Sequence, residues 1–307
     1  MNKSNQIYRL VLGTAQLGMN YGVANKTGQP GYETAKSIVQ EAWENGLREF
    51  DTAQAYGQSE KILGQIIKDL NITDEARIIT KLSPDTDQLD VSALNKAVKI
   101  SMDNLGVESI YGMMLHREDM LDFWGKGLGK NLMEIVDSGR VKHIGVSVYS
   151  PGKAIQALNT KSISMVQLPT NILDRRFERA GVFDFAKKAG KTIYIRSIFL
   201  QGLLLLGKKE LTPNILMASP VLETMNKLCD ELLLSQREIA IGYIKKATQT
   251  AKIVFGAEKP GQVKENIQSF MKNYDESLVD KVRDNFTDID PKILNPSLWQ
   301  RDNANVK

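Results

Sequence analysis

The sequence predicts a single α/β domain closed into a (β/α)8 barrel of the TIM type, and three observations carry that reading. Eight short β-branched or apolar runs alternate with longer helical patterns along the 307 residues. Strands joined by helices must run parallel, and eight of them suit closure into a barrel. The first run is followed by Gly13-Thr14-Ala15-Gln16-Leu17-Gly18, which lacks the glycine spacing that an open dinucleotide-binding sheet puts there. No composition shift or Pro/Gly/Ser linker divides the chain. One domain is therefore expected over 1–307, with a core over about 7–290 and an irregular tail over 290–307.

In chain order, the strands are read at Tyr8–Thr14, Leu47–Asp51, Arg77–Lys81, Ile110–His116, His143–Ser147, Ser164–Gln167, Thr192–Ser197 and Lys252–Gly256. After the first comes a long Gly-rich stretch, Gln16–Gly31, read as a loop at the barrel mouth. Glu33–Asn45 then places Ile38, Val39, Ala42 and Trp43 on one helical face, and Gly46 supplies the stop. Between the third and fourth strands, Leu94, Ala97, Val98, Ser101, Met102 and Leu105 repeat at helical spacing. Val263, Ile267 and Phe270 repeat that spacing after the eighth strand, and Pro291, Pro296 and Trp299 mark the tail.

Composition narrows the classes further. A hydrophobic share of 42% with 25% charged residues is ordinary for a soluble globular chain. The net charge of +4 is not gathered into one stripe, so no nucleic-acid partner is expected. No apolar run reaches the ~20 residues that a membrane span needs, and Met1 to Gln6 is polar rather than signal-like. The single cysteine, Cys229, lies near Leu228 and Leu232 and reads as a small buried hydrophobe. A cytoplasmic protein is expected, with no metal site.

The polar residues fall in one place, at the C-terminal ends of the predicted strands. Asp51 ends the second, Lys81 the third, His116 the fourth, Ser147 the fifth, Gln167 the sixth and Ser197 the seventh. Barrel enzymes build their active sites at that face. Tyr56 follows Asp51 by five residues in Asp51-Thr52-Ala53-Gln54-Ala55-Tyr56-Gly57, which adds a phenol to the same mouth. These types suit carbonyl reduction. Hydride arriving at a carbonyl carbon leaves an alkoxide that needs a proton and electrostatic stabilisation. Tyr56 is read as the general acid/base, Lys81 as the ammonium that lowers its pKa, Asp51 as the partner of Lys81, and His116 as the donor that orients the carbonyl oxygen. Singly, each has a structural reading: Asp51 as a helix cap, Tyr56 as loop packing, Lys81 as a solvated strand end, His116 as a core histidine. His143 is read as a core histidine near the opposite barrel end.

At these residues the sequence resembles the aldo-keto reductase family over roughly residues 7–290. The pieces that carry the likeness are Gly13-Thr14-Ala15, Asp51-Thr52-Ala53 with Tyr56-Gly57, Thr80-Lys81, Leu115-His116, Gly139-Arg140-Val141-Lys142-His143-Ile144-Gly145-Val146-Ser147, Val166-Gln167 with Asn171, and Gly256-Ala257 with Gln262, Glu265 and Asn266. The resemblance implies the barrel, the Asp-Tyr-Lys-His tetrad and a nicotinamide cofactor extended across the mouth, with Gly13, Thr14 and Asp51 beside it. Ser147 and Gln167 would hold the carboxamide, and the loop Ser197 to Gly202, with Leu200, would wrap the pyrophosphate. Phe255, Gly256, Ala257, Gln262, Glu265 and Asn266 would hold the adenosine end.

Three positions depart from the family pattern. Val148 replaces a polar residue after Ser147. Arg196 stands where an aromatic usually stacks on the nicotinamide, and its guanidinium plane can stack instead. Gly256 and Gln262 stand where many members carry bases for a 2′-phosphate, Glu258 opposes that phosphate, and Lys259 is the compensating cation. NADP(H) is preferred, with NAD(H) not excluded. The expected substrate is a small-molecule carbonyl, with Tyr21, Trp124 and Trp299 as candidate contacts. The arginines of Asp174-Arg175-Arg176-Phe177-Glu178-Arg179 are read as a mixed-charge helix start or, in the rival reading, as a phosphate or carboxylate site. A Gly-Thr-Ala-Gln start and an Asn-Pro-Ser-Leu-Trp tail resemble bacterial polysaccharide-associated members, which implies a sugar-derived carbonyl. The alternative is a nicotinamide-binding sensor or auxiliary subunit, like the potassium-channel β subunits of the family. The intact tetrad argues against it. The sequence sets no oligomeric state.

Overall fold

Residue register, more than composition, explains the architecture of this chain. The computed structural model describes residues 6–299. Eight parallel strands close in sequence order into one barrel: β1 (Leu10–Gly13), β2 (Glu49–Asp51), β3 (Arg77–Lys81), β4 (Ile110–Leu115), β5 (Val141–Ser147), β6 (Met165–Pro169), β7 (Thr192–Arg196) and β8 (Lys252–Phe255). β8 pairs back onto β1 through Val11 and Val254. All eight runs read from the sequence are strands, with bounds that differ by a few residues. β1 starts late because Ile7–Arg9 forms a 3-10 turn and Arg9 is buried, its Nε donating to Ala251 O at 2.9 Å. β5 starts early, at Val141, which pairs with Ile110. His143 is therefore a mid-strand residue, half-buried and edge-on to Tyr111 at 5.0 Å, rather than a core histidine.

The outer layer is helical: α1 (Tyr32–Glu44), α2 (Ser59–Asp69), α3 (Val91–Leu105), α4 (Leu128–Asp137), α5 (Pro151–Asn159), α6 (Val182–Lys188), α7 (Ser219–Leu232), α8 (Gln236–Ala247), α9 (Pro260–Met271) and α10 (Ser277–Asn285). Local chemistry sets their ends. Asp90 caps α3 by accepting from Ser92 N, and Gly106 ends it at φ +66°. Ser235 and Glu238 form a capping box at α8. Leu94, Ala97, Val98, Ser101 and Leu105 are the buried face of α3, as their spacing predicts. Cys229, on α7, is half-buried rather than fully so, and burial pushes its thiol up to about 11. No helix among the described residues is long and apolar enough to cross a membrane. Residues 1–5 and 300–307, which include most of the leader reading and the end of the expected tail, lie outside the described residues.

The barrel interior positions the site. Val11, Ile79, Met114, Met165, Tyr194 and Val254, one from each of six strands, pack together inside it. Gly145 and Gly112 leave room for the methionines: a Cβ on Gly145 would lie 2.9 Å from both Met114 Cγ and Met165 Cβ. Side chains two residues apart on a strand face the same way. The position two beyond this layer on six strands, and two beyond Glu49 on β2 and Gly145 on β5, is therefore also inward, at the C-terminal mouth. Those positions are Gly13, Asp51, Lys81, His116, Ser147, Gln167, Arg196 and Gly256. Glu49, two before Asp51, is buried and ion-pairs with Lys252, closing the interior below.

Candidate active site

Asp51 and Lys81 form the fixed base of the mouth. Lys81 Nζ donates to both carboxylate oxygens of Asp51 at 2.8 Å and to Thr52 O at 2.9 Å, and its side chain is 1% exposed. Burial draws the Lys81 pKa down while Asp51 resists. Gln167 Nε2 donates to Asp51 Oδ1 at 2.7 Å, which ties β6 to β2 across the barrel. Gln167 Oε1 is buried without a partner, an acceptor facing no donor. Ser147 is buried in the same ring.

Two glycines bring Tyr56 to this base. A Cβ on Gly18 would lie 2.0 Å from Tyr56 O, and one on Gly57, at φ +57°, would lie 2.3 Å from Gly18 O. Only glycine allows these loop backbones to approach so closely. Lys81 Nζ then lies 5.1 Å from the Tyr56 ring centroid, and the His116 ring meets Tyr56 edge-on at 6.1 Å. The four predicted side chains therefore converge. The bonds of Lys81 go to Asp51 and Thr52, and its ammonium meets the Tyr56 ring face. Burial and Asp51 hold the phenol above its ordinary range, and Arg196 is the cation that opposes them. His116 is depressed to about 4 by burial, Lys81 and Arg196, so its imidazole is neutral near pH 7, and its Nδ1 is buried without a partner.

Beside the tetrad lies a cavity of about 430 Å³ lined by Gly13, Thr14, Asp51, Tyr56, Tyr21, Arg196, Ser197, Gly202 and the segment from Phe255 to Lys259 with Gln262. Thr14 is structural as well, its Oγ1 donating to Asp51 O at 3.0 Å. The loop after β7 carries positive φ at Ser197 (61°), Leu200 (48°), Gln201 (56°) and Gly202 (91°), strain of the kind that collects at ligand sites. Leu200 itself is buried and does not line the cavity. Residues after β1 roof this loop: Val23 N donates to Gln201 O at 3.0 Å, and a Cβ on Gly202 would lie 2.5 Å from Ala24 Cβ. The stretch read as a plain loop from Gln16 begins with a helical turn, Ala15–Gly18.

At the strand-8 end, Gln262 Oε1 accepts from Glu258 N at 2.7 Å, and Lys259 is exposed at the start of α9. Glu265 and Asn266 stand behind the wall and hold Arg237, which lines it. Arg237 Nη1 donates to Asn266 Oδ1 at 2.5 Å, and Nη2 lies 3.0 Å from Glu265 Oε2. Sequence reading missed Arg237 because it opens α8, away from any strand end. It missed Gln16, whose amide fills the space a Gly256 Cβ would need, because nothing local marks that contact.

Several candidates are corrected. Trp124 does not reach the cavity: it packs on Gly129, whose Cβ would lie 2.6 Å from its Nε1. Trp299 is 5% exposed, donates to Lys292 O at 3.0 Å and belongs to the tail packing. Large apolar rings on loops gain more from burial than from exposure at a mouth. Tyr21 does line the cavity. Arg175 donates to Phe286 O at 2.6 Å, Arg176 pairs with Asp174 at 3.0 Å, and Glu178 binds Arg283 and Tyr243, so this charged segment is structural. Val148 is buried in the outer core, with its N–H donating to Gln167 O at 2.8 Å. Arg196 has its guanidinium 4.4 Å from the Tyr149 ring centroid, so one of its faces is already covered.

L-glyceraldehyde 3-phosphate reductase of Escherichia coli (strain K12) is 24% identical over 274 residues, covering 77% of this chain and 79% of that protein. NADH-specific methylglyoxal reductase of the same organism is 24% identical over 300 residues, covering 84% and 88%. A glycerol dehydrogenase structure from Gluconobacter oxydans superposes with a TM-score of 0.71 at 20% identity, covering 92% and 94%. The model of the aldo/keto reductase family matches residues 9–285, and the chain accordingly belongs to that family of oxidoreductases, which use nicotinamide cofactors.

Proposed function

We propose that this chain reduces an aldehyde or ketone to an alcohol with NADPH in preference to NADH, and that Tyr56 is the proton donor. The observation that carries the proposal is the convergence of Tyr56, Lys81, Asp51 and His116 beside one cavity. A nicotinamide fits the donor set: the unpartnered Gln167 Oε1 would accept from its carboxamide, with Ser147 beside it, and the strained loop Ser197–Gly202 would follow the phosphates. Bound there, the reduced ring supplies a hydride to the carbonyl carbon. Tyr56, kept protonated at neutral pH by burial and Asp51, gives its hydroxyl proton to the carbonyl oxygen. Neutral His116 donates one hydrogen bond to that oxygen and orients it. The Lys81–Asp51 pair holds the floor on which Tyr56 rests.

For the 2′-phosphate we propose Lys259 together with Arg237, whose position is held by Glu265 and Asn266. The relatives named for L-glyceraldehyde 3-phosphate and methylglyoxal support a small oxygenated aldehyde, which keeps a sugar-derived carbonyl in the proposal. The test is a fluorescence titration with NADPH and NADH followed by an aldehyde and sugar panel. Tighter NADPH binding and turnover of at least one aldehyde are expected. Lys259→Ala and Arg237→Ala should each weaken NADPH about tenfold and spare NADH, since a charge-assisted contact is worth about 1.5–3 kcal/mol. Binding without turnover on any carbonyl would favour the sensor alternative, and equal losses for both cofactors would reject the cation assignment.

A further inference from the structure

Arg196 holds a charge at the barrel mouth that its surroundings leave unused. The other charges in that ring are paired: Asp51 and Lys81 neutralise each other at 2.8 Å, and the Gln167 amide N–H is tied to Asp51. Arg196 stands two residues beyond Tyr194, which lies in the barrel interior, so it rises from the mouth between the ends of β6 and β8 and lines the cavity with Tyr21 and Tyr56. Its guanidinium covers the half-exposed Tyr149 ring at 4.4 Å. Nη1 makes one long contact, 3.4 Å to Ser197 Oγ, and Nη2 is buried without a partner. Among the described residues it forms no ion pair; Asp174, the carboxylate that feels its charge, pairs with Arg176 instead.

A guanidinium held flat against an aromatic ring, with an unpartnered N–H, is preorganised to donate to a carboxylate or phosphate. A buried donor without an acceptor is costly, so a site that keeps one commonly serves a ligand. The cations at the strand-8 end of the cavity are Lys259 and Arg237. Arg196 instead lies close enough to Tyr56, Tyr21 and His116 for its charge to reach all three. That is the end where the carbonyl must react.

We infer that Arg196 is an anion-binding residue of the substrate subsite, and that the carbonyl compound this chain takes best carries a carboxylate or phosphate a few bonds from the reacting carbon. The inference rests on the carbonyl-reductase reading and deepens it. The experiment compares kcat/KM for succinate semialdehyde and glyceraldehyde 3-phosphate with that for uncharged glyceraldehyde and butyraldehyde. It does so in the wild-type chain, Arg196→Gln and Arg196→Lys, with NADPH affinity measured on each by fluorescence quenching. The wild type should prefer at least one anionic aldehyde by about tenfold. That ratio should collapse in Arg196→Gln and survive in part in Arg196→Lys, and the preferred partner tells carboxylate from phosphate. A wild type without preference, or a ratio unchanged in Arg196→Gln, overturns the inference while leaving carbonyl reduction standing. NADPH affinity lost in step with an unchanged ratio also overturns it, by assigning the guanidinium to the cofactor. No turnover of any of the four aldehydes would sink the underlying reading as well.

Discussion

His116 combines two features that seldom coexist away from an active site, a ring nitrogen buried without a partner and a pKa depressed to about 4. The unfolded chain takes up a proton at this position as pH falls below about 6.5, whereas the native site stays neutral until about 4. Native stability is therefore lost on acidification across that window, by roughly 3 kcal/mol at most, and the loss disappears above it. His116→Asn should flatten this part of the acid limb, measured as urea midpoints at about pH 7 and about pH 4.5. Parallel limbs for variant and wild type would show that His116 is not held neutral. At this scale the sequence was informative wherever a polar residue ended a strand, because barrel geometry alone sends such ends to one face. It gave no sign of the depressed His116 pKa. Nor can spacing tell which acceptors the Lys81 ammonium satisfies first, which are Asp51 and Thr52.

Among the elements, the strands and the α3 and α9 helices follow from periodicity, while the loops that finish the site depend on contacts between distant segments. The approach of the turn after β1 to the loop after β2 is the clearest case. A methyl group on Gly18 would meet Tyr56 O at 2.0 Å and Ser59 N at 2.3 Å, both backbone atoms that cannot swing aside. Gly18→Ala should therefore displace Tyr56, lowering turnover by at least about tenfold and stability by about 1–3 kcal/mol. Gly152→Ala, on α5 with open space around it, should leave both nearly unchanged or raise stability slightly. Equal behaviour of the two variants in steady-state kinetics and thermal unfolding would show that this backbone contact does not position the phenol. Trp124 and Trp299 were misread at this level. An aromatic on a loop has no periodicity to reveal its face, and packing against Gly129 and the tail backbone wins.

For the whole molecule, one register accounts for both stability and placement. The interior layer of Val11, Ile79, Met114, Met165, Tyr194 and Val254 buries apolar surface worth on the order of 1.5–3 kcal/mol per large side chain, and the same alternation sets the mouth ring two residues further on. Barrel closure and the tetrad were therefore legible together. The cofactor wall was less so, because Arg237 and Gln16 reach it from a helix start and a turn that only the closed barrel brings near β8. The central claim is that Tyr56 gives the proton while other groups hold the cofactor. Its most direct test is turnover of an aldehyde by Tyr56→Phe with NADPH affinity measured on the same sample. Turnover lower by about 10²–10⁴ with affinity nearly intact is the predicted result. A Tyr56→Phe variant that reduces aldehydes as fast as the wild type would contradict it.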